Sequence, residues 1–209
     1  MSPPVRSGAV VLLLLLTACS DDPSASDERA DQIREVAEDA DLPDDVVDVL
    51  ELAARGADGT FQVTYPGDDG TSIVISQDPP DRRIDVVIGD RVVESRVVRG
   101  GIGYRCAPAQ DDPDGSLDCT RSETGLEGPG AFTEEALRSF ADDLAASRED
   151  VDLRVESRTI AETDATCLVA GDETICVSDE GAQLLVDVGD DRLSASGYTT
   201  DVPDGTFDT

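Results

Sequence analysis

The sequence contains no histidine, no lysine and no tryptophan, and only three tyrosines and four phenylalanines among 209 residues. Without an imidazole, neither a serine-hydrolase triad nor a histidine acid–base pair can be assembled. An enzyme would have to rely on paired carboxylates, an activated serine or a metal. All sixteen cations are arginines, set against forty-seven aspartates and glutamates, for a net charge of −31. That balance excludes nucleic acid as a partner, because binding it needs clustered cations to neutralise phosphates. It argues equally against docking on an anionic bilayer through basic residues. The scarcity of aromatics leaves a core of valine, leucine, isoleucine and alanine. The acidity reads as solvation for a salty or crowded exterior, where screening cuts repulsion off at about 8 Å; a calcium-loaded protein is the alternative.

The sequence also has no apolar run of the roughly 20 residues that a membrane span needs. What it has is a short one. Arg6 is followed by the apolar stretch 8–16, and Leu16-Thr17-Ala18-Cys19 comes at once. This is the layout of an export signal. The segment resembles the lipobox of bacterial lipoproteins, which reads Leu-x-Ala/Gly-Cys. The resemblance implies cleavage after Ala18 and a diacylglyceryl thioether, with further acylation such as palmitate, on Cys19. The competing reading is an ordinary secretory signal with an incidental Cys19. The chain thus divides into a signal peptide (1–18), an acylated cysteine and polar tether (19–26), and a single domain (27–209) facing the extracytoplasmic side of the cell membrane.

Four further cysteines remain, an even number that in an exported protein argues for disulfides. Three connectivities are open. Local pattern favours Cys167–Cys176, directly opposed if residues 170–173 form a hairpin loop, and Cys106–Cys119 about a turn centred on Asp112-Pro113. A four-thiolate zinc site is the rival, but neither spacing matches closely paired zinc ligands. No other metal or cofactor site is expected. The acidic stretch 111–118 offers carboxylates near a turn without the terminal glutamate of a calcium loop. The run Gly100-Gly101-Ile102-Gly103 lacks the lysine and helix start of a phosphate loop and reads as a kink or bulge in a strand.

Periodicity supplies the rest. Ile33, Val36, Ala37 and Ala40 form a helical stripe over 27–40, and Val46, Val49, Leu50 and Ala53 form another over 43–55, ended by Gly56. From Thr60 the period changes to two, giving about six strands, with turns at 78–81 and at Gly89-Asp90. A loop is expected at 123–130. Thr133 caps a third helix whose apolar face is Leu137, Phe140, Ala141 and Leu144. About five strands follow, and 201–209 is acidic and turn-rich. Short connections make the strands antiparallel. The expectation is an α+β fold: a curved antiparallel sheet, an open half-barrel of roughly ten strands, covered by about three helices.

Behind a lipobox, this order of helix, meandering strands, helix and further strands resembles the LolA-like lipoprotein-carrier fold shared by actinobacterial lipoproteins of the LppX and LprG type. The stretch from Cys167 through residues 176–181 to Leu193 and Phe207 is similar to the corresponding part of other actinobacterial lipoproteins. The resemblance implies a cavity for acyl chains, and carries no ligand residue with it. On the residues themselves, Val86, Ile88, Val93, Leu137, Phe140 and Leu144 are of the kind that would line a space for a lipid or other apolar ligand, or fill a solid core. The two functions that follow are a non-enzymatic carrier of an apolar ligand and an envelope protein-interaction or accessory module with a closed core. If Cys19 carries the anchor, Cys19→Ala abolishes incorporation of labelled palmitate and leaves the leader attached, both read by mass spectrometry of the membrane fraction.

Overall fold

A computed structural model describes residues 24–109, 112–122, 134–147, 151–189 and 191–209. The leader, Cys19, the expected loop at 123–130 and the capping residue Thr133 lie outside the described residues. Two helices open the fold, α1 (Ser24–Asp39) and α2 (Asp44–Arg55), the first beginning three residues before its apolar stripe predicts. Pro43 precedes α2, Asp44 and Asp45 sit in its first turn and Arg55 in its last, as the helix dipole favours. Gly56 does not stop the backbone turning; it begins a short 3-10 turn, Gly56–Asp58. Six strands follow: β1 (Phe61–Pro66), β2 (Thr71–Asp78), β3 (Asp81–Ile88), β4 (Arg91–Arg99), β5 (Ile102–Ala109) and β6 (Asp112–Ser122). After α3 (Glu134–Ser147) come β7 (Leu153–Ile160), β8 (Thr163–Ala170), β9 (Glu173–Val177), β10 (Gln183–Val188), β11 (Asp191–Ser194) and β12 (Gly197–Thr199).

The fold is α+β, with three helices and antiparallel strands, but the single curved sheet of roughly ten strands is replaced by two sheets. Sheet A holds seven strands in the order β12-β1-β2-β3-β4-β5-β6, and sheet B five in the order β11-β10-β9-β8-β7. The reason lies in residues 191–199. Leu193 pairs with Val186 in sheet B, Ala195 N–H still donates to Leu184, and then Ser196 N–H donates to Thr64 and Tyr198 pairs with Val63 in sheet A. One extended stretch changes partners at Ala195-Ser196, which makes a corner between the layers. The sequence pattern of Leu193, Ala195 and Gly197 predicts one strand there and does not reveal the change of partner.

Three layers result: helices, sheet B, sheet A. Neighbouring residues on a strand point to opposite faces, so sheet B carries two apolar sets. Leu168, Ile175 and Val177 join Ile33, Val46, Leu50, Leu137, Ala141 and Leu144 in the core beneath the helices. Ala165, Cys167, Cys176 and Leu184 join Phe61, Val63, Tyr65, Ile75 and Ile84 in the core between the sheets. Burial on both faces explains why 167–170 and 175–177 read as continuous apolar runs while the strands of sheet A alternate.

The cysteines pair as the local pattern favours, Cys106 with Cys119 and Cys167 with Cys176, each pair directly opposed in register. The β8–β9 turn is one residue tighter at each side than expected, since Ala170 pairs with Glu173. Asp112 belongs to β6 and pairs with Ala109, so the turn precedes the Asp112-Pro113 centre. Gly100 and Gly101 form the β4–β5 turn, both with positive φ (52° and 74°), rather than a kink within a strand. Hydrogen-bonded hairpins set both choices: Arg99 opposes Ile102, leaving two residues for the reversal.

Layers are locked where the end of α2 meets the β9–β10 turn. A Cβ on Gly56 would stand 2.2 Å from the Gly181 carbonyl oxygen, and one on Gly181 2.3 Å from that of Leu52. Gly181 also has φ of 75°. Beside it Gln77 donates its side-chain amide to the carbonyls of Gly56 (2.8 Å) and Gly59 (2.9 Å), binding sheet A to the helix layer. Gly181→Ala combines a disfavoured backbone with a clash against two rigid backbones. We expect it to cost about 3 kcal/mol or more, measured as a fall in the midpoint of urea unfolding.

Candidate functional site

The space that a ligand would enter lies between the helices and sheet B. It is lined by Val49, Leu50 and Ala53 of α2, Leu137 and Phe140 of α3, Leu168 of β8, and Ile175 and Val177 of β9, with no polar atom on its surface. The i, i+1, i+4 spacing of the α2 residues and the i, i+3 spacing of Leu137 and Phe140 place each set on one helix face. The room open to the centre of a water molecule is about 10 Å³, at the threshold for holding one water. Drug-sized ligands occupy clefts of about 300 Å³ and upward. At this size the interval is too narrow for a ligand of that kind.

The six expected lining residues divide between different layers. Leu137, Phe140 and Leu144 are buried together beneath the helices, 1%, 9% and 4% exposed. Val86 and Val93 are half-buried on β3 and β4 of sheet A, and Ile88, beside the Gly89 turn, is 46% exposed. Sheet B stands between the two groups. The alternation that marks residues as inward does not say which of two interiors they face, and the change of partner at Ala195 creates the second interior. Leu168, Ile175 and Val177 line the interval without having been singled out; their signal was the two-faced apolar run of β8 and β9.

Several polar groups at the rim of this layer are cross-linked. Glu51 of α2, 4% exposed, receives both Nε and Nη2 of Arg34 from α1, the latter at 2.8 Å, and lies 3.4 Å from Arg55 one turn along. The Glu51 carboxylate, by hydrogen bond and then by charge, raises the pKa of the Arg34 guanidinium. At the β9–β10 turn, buried Ser178 accepts from the N–H groups of Glu180 and Ala182 and donates to Tyr198, whose hydroxyl donates to Glu180. Burial, then the bond to Glu180, holds Tyr198 protonated far above the ordinary phenol range. Tyr65, buried between the sheets, is likewise raised by desolvation and donates to the Gln183 carbonyl. These are cross-braces, with no nucleophile open to solvent among them: Ser178 is 0% exposed.

Among the described residues, no group of three metal-ligating side chains converges, and no helix is long and apolar enough to cross a membrane. Asp111 of the acidic hairpin tip lies outside the described residues; Asp118 is exposed. No protein-family model matches the chain, and no curated protein matches its sequence.

One carboxylate is misplaced. Glu173, at the start of β9, is partly desolvated and faces Asp172 and then Asp143 of α3, all of which raise its pKa. A carboxyl whose folded pKa is raised favours the fold while protonated, and that contribution is lost as pH rises through the folded pKa. Glu173→Gln therefore raises the melting temperature at neutral pH, and the advantage shrinks as pH falls through the carboxylate range. Thermal scans from pH 7 to pH 4 check both the sign and the trend.

Proposed function

We propose that this protein is a non-enzymatic lipoprotein, anchored through Cys19 on the extracytoplasmic face of the cell membrane, that works as an interaction or accessory module of the envelope through its outer surface. The observation that carries this reading is the apolar interval beneath the helices, whose free space is about the size of one water. A module with a filled core has its polar and charged surface to work with. The net charge of −31 keeps that surface soluble and selects partners by repulsion as much as by attraction.

A second reading keeps the carrier role. Residues 191–199 join the two sheets along one corner, and in this reading the joined sheets would stand in for the half-barrel that the LolA-like resemblance implies. An apolar ligand would then enter by parting α3 from β8 and β9, where the lining offers no polar atom to retain water. That route needs the helix to move, since the six residues first considered do not share one chamber.

Mass separates the two. The intact lipoprotein, isolated from an exporting host and sprayed under native conditions, carries only its Cys19 acyl groups if it is a module. A further lipid, stoichiometric and released only on unfolding, overturns the module reading in favour of the carrier.

A further inference from the structure

The outer face of sheet A, turned away from sheet B, gathers arginines in a chain that has few. Register places Arg83, Val97, Tyr104 and Arg121 side by side across β3 to β6. Arg99, two residues beyond Val97, shares their face. Asp85 on the same face pairs with Arg83, at 2.8 Å and 2.9 Å from its Nε, and Asp81 accepts from the Gly100 N–H at 2.8 Å. Arg99 and Arg121 are exposed.

Residues 201–209 lie over this face. They contain three aspartates and no cation. Their backbone makes no strand: Thr206 N–H donates to Pro203 and Asp208 N–H to Gly205, within the segment itself. Two arginines hold it, Arg83 donating to the Thr206 carbonyl and Arg99 to the Asp208 carboxylate, both at 2.9 Å. Val202, Thr206 and Phe207 are half-buried and the remaining six residues exposed. The Arg99–Asp208 pair leaves its partners 52% and 71% exposed, and such pairs contribute about 0–1 kcal/mol.

We propose that residues 201–209 are a detachable strap, and that the face beneath them is a docking surface for a short, turn-forming acidic peptide, of which the protein's own segment is the resident occupant. The inference rests on the module reading and names its working face. Charge supplies the selectivity: Arg99 already takes the Asp208 carboxylate, and Arg121 stands exposed on the same face. A weakly held occupant in cis lowers the apparent affinity for any other by its own occupancy.

The test uses the full chain and a synthetic peptide of residues 200–209 as probe. In Phe207→Ser/Asp208→Asn the strap is loosened while the face is intact. Hydrogen exchange at Thr206 and Asp208 should quicken there, and in the native chain at about 0.5 M NaCl, with β9 amides unchanged. The peptide should bind the loosened variant saturably, roughly tenfold more weakly in the native chain and in about 0.5 M salt, and about fivefold more weakly once Arg99→Gln is added. Unchanged exchange in the loosened variant makes the segment integral packing and overturns the strap. Quickened exchange without peptide binding overturns the docking surface. Either failure leaves the bare native mass, and with it the module reading, untouched.

Discussion

Burial of one sheet on both faces is the constraint from which the remaining structure follows. Sheet B can present Leu168 and Ile175 to the helices and Cys167 and Cys176 to sheet A only if β8 and β9 are apolar at consecutive positions. Such a hairpin has weak register of its own, because a one-residue slip exchanges one apolar set for the other. The Cys167–Cys176 bond, fully enclosed, fixes that register covalently. In a chain poor in aromatics, the bond and small aliphatics do what large rings do elsewhere.

Around this middle layer the polar connections are few and specific. Gln77 reaches from sheet A to the carbonyls past α2, Tyr65 crosses to Gln183, and Ser178 ties Tyr198 to the turn at Gly181. Glu51 clamps α1 to α2. Each satisfies a group whose burial would otherwise cost about 1–3 kcal/mol. All of them act as braces between elements of the fold.

Much of this was legible in the chain. The helices, the first six strands, the third helix and the hairpin turn at Gly89 follow from period and turn chemistry, and both disulfides follow from hairpin arithmetic. What period could not carry was the partner of each strand. Leu193, Ala195 and Gly197 alternate as any strand does, yet the stretch serves two sheets, and that choice depends on Thr64 and Leu184, more than a hundred residues apart. For the same reason Val86 and Leu137 looked like neighbours when they belong to different interiors. The candidate site was therefore half legible: the α3 residues were readable as inward, and their company was not.

The shared corner has a mechanical consequence. Counted from residues 191–199, sheet A has seven strands and sheet B five, so among the described residues β5 and β6 are the two strands of sheet A without a counterpart in sheet B. Two leaves hinged on one side move most at the side away from the hinge. Those two strands are the long arm of that lever, and the Cys106–Cys119 bond stiffens it at its outer end. A partner gripping β5 and β6 would thus pull on the wedge between the layers with the greatest leverage the fold provides, while one gripping β12 or β11 would feel a rigid body.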